Sequence, residues 1–158
     1  MDCSRKEDSD QSELRYSQIV ISEEVDEVSP PPPDLTSNFR TLQEWLFNAC
    51  DQDKPKTAIA TYDFGFFESP GEYIVFVVGL NTYEKEENHS ITTIDFEPSD
   101  MYFRLPKSEH ENLDREQVLG KIKTQLKDFI KTEKFKTSFF AQAKSVKTSF
   151  DGDEIWSK

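Results

Sequence analysis

The segment that decides the fold is 114–131, DREQVLGKIKTQLKDFIK. Asp114 is a suitable N-cap and Gln117 stands three residues after it, which is the spacing of a capping box. The apolar residues recur at helical spacing and form one stripe, which comprises Val118, Leu119, Ile122, Leu126, Phe129 and Ile130. The pattern therefore predicts a long amphipathic helix, Asp114–Lys131, whose apolar face needs a partner surface.

The partner surface is predicted from the alternating segments that precede the helix. Apolar and β-branched residues alternate with polar ones, or run continuously, in four segments. These segments are Lys56–Phe67, Glu72–Thr82, Ser90–Phe96 and Met101–Leu105. The connections between them are short, and parallel strands need crossovers of about a dozen residues or more. The sequence therefore predicts an antiparallel sheet of three to four strands.

Shorter elements flank this sheet and helix. An apolar stripe predicts an N-terminal helix over Asn38–Asp51, and the phenylalanines of Phe135–Ala143 indicate a second short helix. Asp151-Gly152 is a strong turn signal, which predicts a C-terminal hairpin over Val146–Trp156. Strands grouped between helices are typical of the α+β class. We therefore expect one α+β domain over residues 36–158.

Residues 1–35 are acidic and end in four consecutive prolines, Pro30 to Pro33. Four prolines favour an extended polyproline II segment and exclude a helix. We expect this region to be a disordered tail. Its one apolar cluster, Ile19-Val20-Ile21, is either a short strand at a sheet edge or an apolar patch in the tail.

The sequence also bears on the compartment. The longest apolar run, Tyr73–Leu80, is far shorter than the roughly 20 residues needed to cross a bilayer. No signal-peptide pattern is visible near Met1. The two cysteines, Cys3 and Cys50, are too few for a disulfide scaffold and suit a reducing environment. We expect a cytoplasmic protein without membrane partners.

No motif predicts a catalytic residue, a cofactor or a metal site. His89 and His110 lie in acidic loops, and no metal-ligand spacing surrounds them. Cys50 has no base nearby in the sequence, and no phosphate-binding glycine loop occurs. Lysines interleave with phenylalanines after residue 121, but those phenylalanines have the spacing of core residues. We therefore expect neither catalysis nor direct nucleic-acid binding, with an enzyme of unrecognised type as an alternative.

The remaining feature is negative charge, since 31 acidic and 19 basic residues give a formal net charge of −12. Such charge either serves solubility alone or complements a basic protein. The candidate contact residues are acids and aromatics in predicted turns, loops and strand ends. They are Asp63, Glu68, Tyr83, Glu84, Glu86, Glu87, Asp95, Glu97, Asp100, Asp151, Asp153, Glu154 and Trp156. Each of them could equally be solvated surface, and Trp156 could equally cap the core.

The closing segment, Phe150-Asp151-Gly152-Asp153-Glu154-Ile155-Trp156, is similar to C-terminal hairpins of some small immunity proteins of bacterial toxin–immunity pairs. The acidity, the size and the α+β order also resemble that class, which includes contact-dependent inhibition systems. The resemblance implies a cytoplasmic, non-enzymatic protein, more often a monomer than a dimer. Such a protein neutralises a cognate basic toxin, here expected to be a nuclease, by occluding its active site.

A second resemblance points to another class of binding protein. The order of helix, three strands and helix is similar to that of type III secretion chaperones, which are small acidic dimers that hold an effector in extended form. Those chaperones normally end in further strands and a last helix, whereas only the Val146–Trp156 hairpin follows here. The solution mass discriminates between the two hypotheses.

Overall fold

A computed structural model describes residues 22–36, 38–52 and 54–158. The described helices are α1 (Leu42–Asp51), α2 (Arg115–Phe129) and α3 (Glu133–Lys136), with short 3-10 turns at Lys107–Glu109 and Phe139–Gln142. The described strands are β1 (Ser22–Val25), β2 (Thr61–Ser69), β3 (Glu72–Glu86), β4 (His89–Phe96), β5 (Tyr102–Arg104), β6 (Ser145–Thr148) and β7 (Glu154–Ser157). The prediction of an α+β protein is confirmed.

The described residues fall into two compact units. The larger unit contains Asp26–Asn81 and Thr93–Lys158. The smaller unit contains β1 and the segment Thr82–Thr92. The long strands β3 and β4 run through both units, because each strand crosses a unit boundary.

Strand β2 is central to the sheet of the larger unit, where the strand order is β4-β3-β2-β6-β7 and β5 pairs with β3. β2 is antiparallel to β3, with Phe64 opposite Val77, and parallel to β6, with Tyr62 opposite Val146. β6 and β7 form the predicted C-terminal hairpin, with an irregular register after Val146. The hairpin is therefore an integral part of the sheet.

The prediction of an antiparallel sheet of three to four strands is only partly right, since β3 is antiparallel to β2 and to β5 but the described sheet has more strands. The described sheet is mixed, because β1 runs parallel to β4 and β6 runs parallel to β2. The connection from β2 to β6 contains both α2 and α3, which is long enough for a parallel crossover. The short connections between neighbouring segments in the sequence do not reveal this long crossover.

The helices and one face of this sheet share a single apolar core. α2 begins as predicted, since the Asp114 carboxylate accepts from the backbone amide of Gln117 at 2.8 Å and the Gln117 side chain accepts from the backbone amide of Asp114 at 2.9 Å. Val118, Ile122 and Leu126 are buried in the same cluster as the inward residues of β2 and β3. The long helix therefore covers the sheet as expected.

Helix α1 begins four residues later than the sequence pattern suggests. Thr41 is its N-cap and accepts from the backbone amide of Glu44 at 3.0 Å, while the Glu44 carboxylate accepts from the amide of Arg40 at 2.9 Å. Trp45 is fully buried and its ring stacks on Phe103 at 5.6 Å between centroids. The cap and the tryptophan fix α1 against the core.

A second, smaller apolar cluster lies on the other face of the sheet, around Phe76, Val78, Leu80 and Met101. The residues that follow β1 belong to the larger unit and contact its sheet. The backbone amide of Ile94 donates to the Asp26 carboxylate at 3.0 Å, and the Tyr102 hydroxyl donates to the carbonyl of Ser29 at 2.5 Å. Residues 26–35, which were predicted to belong to the tail, are therefore part of the larger unit.

The smaller unit consists of paired strand segments. β1 pairs in parallel with the first half of β4, from Ser22 opposite His89 to Val25 opposite Thr92. Within this unit, the hydroxyl groups of Thr82 and Thr92 are hydrogen-bonded at 2.7 Å. Asn88 makes the turn with a φ of 61°, a left-handed conformation that asparagine tolerates. The cluster Ile19–Ile21 lies outside the described residues, so its two alternatives stay predictions. None of the described helices is both long and apolar enough to cross a membrane.

Candidate functional site

Glu68, one of the predicted contact residues, forms an ion pair within the protein. The Arg115 guanidinium, at the start of α2, donates to the Glu68 carboxylate at 3.0 Å. The same guanidinium lies over the ring of Phe66, 5.3 Å from its centroid. Glu68 therefore holds the β2–β3 turn against the helix.

Two more of the predicted contact residues, Asp151 and Asp153, pair in the same way with Lys123 of α2. Its ammonium group donates to Asp151 at 2.8 Å and also pairs with Asp153. Burial raises the pKa of Asp151, but hydrogen bonds from Lys123 and Thr148 outweigh it and hold that pKa at about 2. The two carboxylates fix the β6–β7 turn to α2, and the single ammonium group of Lys123 neutralises one of their two negative charges.

Two further predicted acids take part in polar contacts with side-chain amides. Asp95 accepts from the Asn81 amide at 2.8 Å and from the Thr93 hydroxyl at 2.6 Å. Asp100 accepts from the side-chain amide of Asn48 at 3.2 Å, while its backbone carbonyl accepts from the Trp45 indole at 2.6 Å. Both carboxylates remain exposed, and both also organise the loop in which they lie.

The expectation that Asp63 is an exposed acid at a turn is wrong. Asp63 lies within β2 and is 7% exposed, because the strand continues on both sides of it and β3 and β6 flank it. Burial raises its pKa to about 6, against the opposing effects of Lys147 and a hydrogen bond with Ser149. Asp63 is therefore a buried sheet residue that an incoming protein cannot contact directly.

Trp156 of β7 packs on the core. Its ring meets Phe135 edge-to-face at 5.1 Å between centroids, and it lies beside the main apolar cluster. The sequence allowed Trp156 to be either a partner contact or a cap on the core, and the structure shows the contact with the core. Glu154 and Glu97 are exposed, but they lie on different elements, in β7 and in the loop after β4.

The remaining predicted residues lie together in one segment, residues 82–92, which we call the acidic hairpin. Tyr83, Glu84, Glu86 and Glu87 are all exposed, and Tyr83 is 49% exposed. Among the residues that the structure describes, no ion pair involves any of these three glutamates. The acidic hairpin therefore presents carboxylates that the described fold leaves unused.

Sequence reasoning missed a cavity of about 720 Å³ in the larger unit, which we call the Cys50 cavity. It lies between the end of α1, the loop that leads to β2, and the turn after α3. Its lining includes Cys50, Lys54, Ile59, Tyr62, Ser138 and Phe139. Three distant segments contribute, so no local sequence pattern could have indicated it. The alternation of Lys56–Phe67 placed Tyr62 on the correct face of the strand but could not show an opening beside it.

The Cys50 cavity contains a thiol of low reactivity. Cys50 is 8% exposed, and burial raises its pKa to about 11, although a hydrogen bond with Ser138 opposes that effect. A thiol with this pKa is almost entirely protonated near pH 7, so it is a poor nucleophile. Burial likewise raises the pKa of the Tyr62 hydroxyl above its ordinary value.

The histidines do not form a site in the described part of the chain. The His110 ring packs edge-to-face on Tyr73 at 5.3 Å between centroids, and His89 lies at the start of β4. Across residues 22–36, 38–52 and 54–158, no three side chains of His, Cys, Asp or Glu are grouped so that they could hold a metal ion.

The acidic hairpin and the Cys50 cavity are thus two features that could serve a ligand or partner. The hairpin offers unused carboxylates and an exposed aromatic ring, whereas the cavity offers a partly open volume. No protein-family model matches this chain, and comparisons with curated proteins and with solved structures give no significant match.

Proposed function

We propose that this protein is a non-enzymatic, cytoplasmic binding protein that neutralises a basic protein toxin by covering its active site with the acidic hairpin. The toxin class that fits is a nuclease, because an enzyme that acts on a polyanion needs a basic cleft. The protein acts as a monomer and contacts no nucleic acid itself. The binding residues are Tyr83, Glu84, Glu86 and Glu87.

The observation that carries the proposal is the division of the acids into two sets. Glu68, Asp151 and Asp153 are paired with Arg115 or Lys123 inside the fold. The glutamates of the acidic hairpin have no such ion pair among the described residues. Carboxylates that stabilise nothing locally are free to interact with a cationic surface.

The hairpin geometry suits a basic surface. Glu84 and Glu86 lie two residues apart in β3, so they project from the same face of the strand, separated by about 6.6 Å. Two carboxylates on one face of a strand can therefore contact one basic surface together.

Tyr83 is partly exposed and adds an aromatic contact to the charges of the acidic hairpin. Complementary charges mainly accelerate association and select the partner, while buried aromatic side chains contribute much of the binding energy. Tyr83 stands next to Glu84 near the end of β3, in the part of the strand that belongs to the smaller unit. We expect the Tyr83 ring to be the apolar contact at the centre of the interface.

Capture from the native lysate of the source organism tests this proposal. The tagged wild-type protein should retain a cationic protein that the variant E84Q/E86Q/E87Q loses. The matched control E111Q/D128N/E133Q removes the same number of charges from exposed sites elsewhere and should retain it. Equal capture by all three proteins would contradict a role for the acidic hairpin.

The solution mass separates this proposal from the chaperone hypothesis. We expect a monomer when the purified protein is measured by light scattering. A stable dimer that holds an unfolded polypeptide would favour a secretion chaperone instead.

A further inference from the structure

The Cys50 cavity has the dimensions of a ligand site, and the proposed toxin binding makes no use of it. Its volume of about 720 Å³ lies within the range of about 300–1,000 Å³ that is usual for small-molecule pockets. All of its lining residues belong to the larger unit. The chemistry of a guest follows from which lining groups already have partners.

Several polar groups of the lining are already satisfied. The Asp51 carboxylate accepts from the Lys134 ammonium at 2.6 Å, which neutralises the acid at the cavity rim. The Ser138 hydroxyl donates to the backbone carbonyl of Phe135 at 2.7 Å and is also hydrogen-bonded with the Cys50 thiol. These groups therefore offer little to an incoming ligand.

Donors are left over on Tyr62 and Lys54, and also on the exposed side chains of Thr57 and Gln142. Tyr62 lines the cavity and is only 1% exposed, and its hydroxyl has no hydrogen-bond partner within residues 22–36, 38–52 and 54–158. The hydroxyl is not one of the fully buried atoms that lack a partner, so it opens onto the cavity and can donate to a ligand there. Lys54 is exposed at the rim and has no ion pair within those same ranges.

The rest of the lining contains an apolar surface. Ile59 is 7% exposed and Phe139 is 6% exposed, and both border the cavity together with Ala143. The Phe139 ring packs against Tyr62 at 5.7 Å between centroids, which places an aromatic wall beside the unused hydroxyl. The cavity therefore combines hydrogen-bond donors with an apolar wall.

We propose that the Cys50 cavity binds a small organic carboxylate. The carboxylate accepts hydrogen bonds from the Tyr62 hydroxyl and the Lys54 ammonium, and its apolar body packs on Ile59 and Phe139. The negative net charge of the chain does not exclude such a ligand. At about 0.1 M salt, charges more than about 10 Å away are largely screened, so the nearest groups decide.

Titration of the ¹⁵N-labelled full-length protein with three isosteric probes tests the proposal. Benzoate carries the carboxylate, benzamide is its neutral analogue and benzylamine is a cation of similar size. We expect benzoate to shift the amide resonances of the cavity residues saturably, and to bind about tenfold more tightly than the other two probes, since a hydrogen bond to a charged group contributes that much.

Two substitutions and two matched controls assign the binding to the proposed donors. Tyr62→Phe removes only the hydroxyl and Lys54→Gln removes the ammonium, and each should weaken benzoate binding about tenfold. Tyr73→Phe and Lys136→Gln make the same chemical changes outside the cavity and should leave the affinity unchanged. Lys54 is on the surface, so its variant keeps the test valid even if Tyr62→Phe perturbs the core.

The proposal is wrong if benzoate gives no saturable shift in the cavity. It is equally wrong if benzamide or benzylamine binds as tightly as benzoate, or if Lys54→Gln and Lys136→Gln have the same effect on benzoate binding.

Discussion

Asp63 of β2 lies directly opposite Lys147 of β6 in the parallel pairing of these strands. The carboxyl group is buried, and its Oδ1 atom has no hydrogen-bond partner among the described residues. Lys147 lowers the pKa of Asp63 but does not offset the effect of burial, so the pKa is raised from 3.8 to about 6. The native state therefore holds a proton between about pH 4 and 6 that the unfolded state has released.

The raised pKa of Asp63 predicts how stability depends on pH. The stabilising effect of this proton is complete below about pH 4 and is lost as the pH rises through 6. Asp63→Asn should therefore increase the free energy of unfolding at pH 7, by an amount on the order of 2 kcal/mol. Urea denaturation of both proteins between pH 4 and 8 should show curves that converge at low pH. A difference that does not depend on pH, or one that Asp128→Asn reproduces, would contradict this explanation.

Replacing Gly65 or Gly120 by alanine should have opposite effects on the free energy of unfolding. A Cβ at Gly65 would lie 2.3 Å from the Phe76 ring and 2.6 Å from the Ser149 hydroxyl, so the buried ring would have to move. We expect Gly65→Ala to lower the free energy of unfolding by about 1–3 kcal/mol, as overpacking does.

Gly120 lies on the exposed side of α2, and a Cβ there would meet nothing within 4 Å. Gly120→Ala should raise the free energy of unfolding by about 0.5–1 kcal/mol, because alanine loses less backbone entropy in a helix. Thermal and urea unfolding measure both variants. A stabilised Gly65→Ala would show that the Phe76 ring does not cover this position.

The buried thiol predicts low chemical reactivity. Cys50 should react with iodoacetamide at pH 8 much more slowly than an exposed cysteine, because its pKa near 11 leaves little thiolate. The experiment uses a Cys3→Ser background, so that only one thiol is counted. Rapid modification should appear only after denaturation, and rapid modification of the folded protein would contradict the burial.

The ion pairs of Lys123 predict a local effect rather than a global one. Lys123→Gln removes the contacts to Asp151 and Asp153, which tie the β6–β7 turn to α2. We expect faster amide exchange around Gly152, with little change in the exchange of α1. Lys127→Gln, an exposed lysine of the same helix, is the control and should leave both regions as they are.

The helices could be predicted because their signals are local. The Asp114 capping box and the stripe from Val118 to Phe129 stand within one segment, and the structure confirms both. The alternation around Tyr62 and the Asp151-Gly152 turn were equally local, so the central strand and the last hairpin were also found.

The parallel strand pairing, the ion pairs and the Cys50 cavity depend on residues that are far apart in the chain. Thr61 and Ser145 meet across the parallel pair although 84 positions separate them, and Lys123 reaches Asp151 across 28 positions. No local pattern reports such contacts, so the sequence could not show the parallel strand or which acids are neutralised. The Cys50 cavity was missed for the same reason, since its walls come from three segments.

The most direct test of the central claim is the association rate constant with the captured basic protein, measured by stopped-flow at several salt concentrations. We predict that E84Q/E86Q/E87Q lowers this rate constant and flattens its salt dependence, because complementary charges steer the encounter. The control E111Q/D128N/E133Q should stay close to the wild-type protein. Equal rate constants and equal salt slopes for the two triple variants would contradict a binding surface on the acidic hairpin.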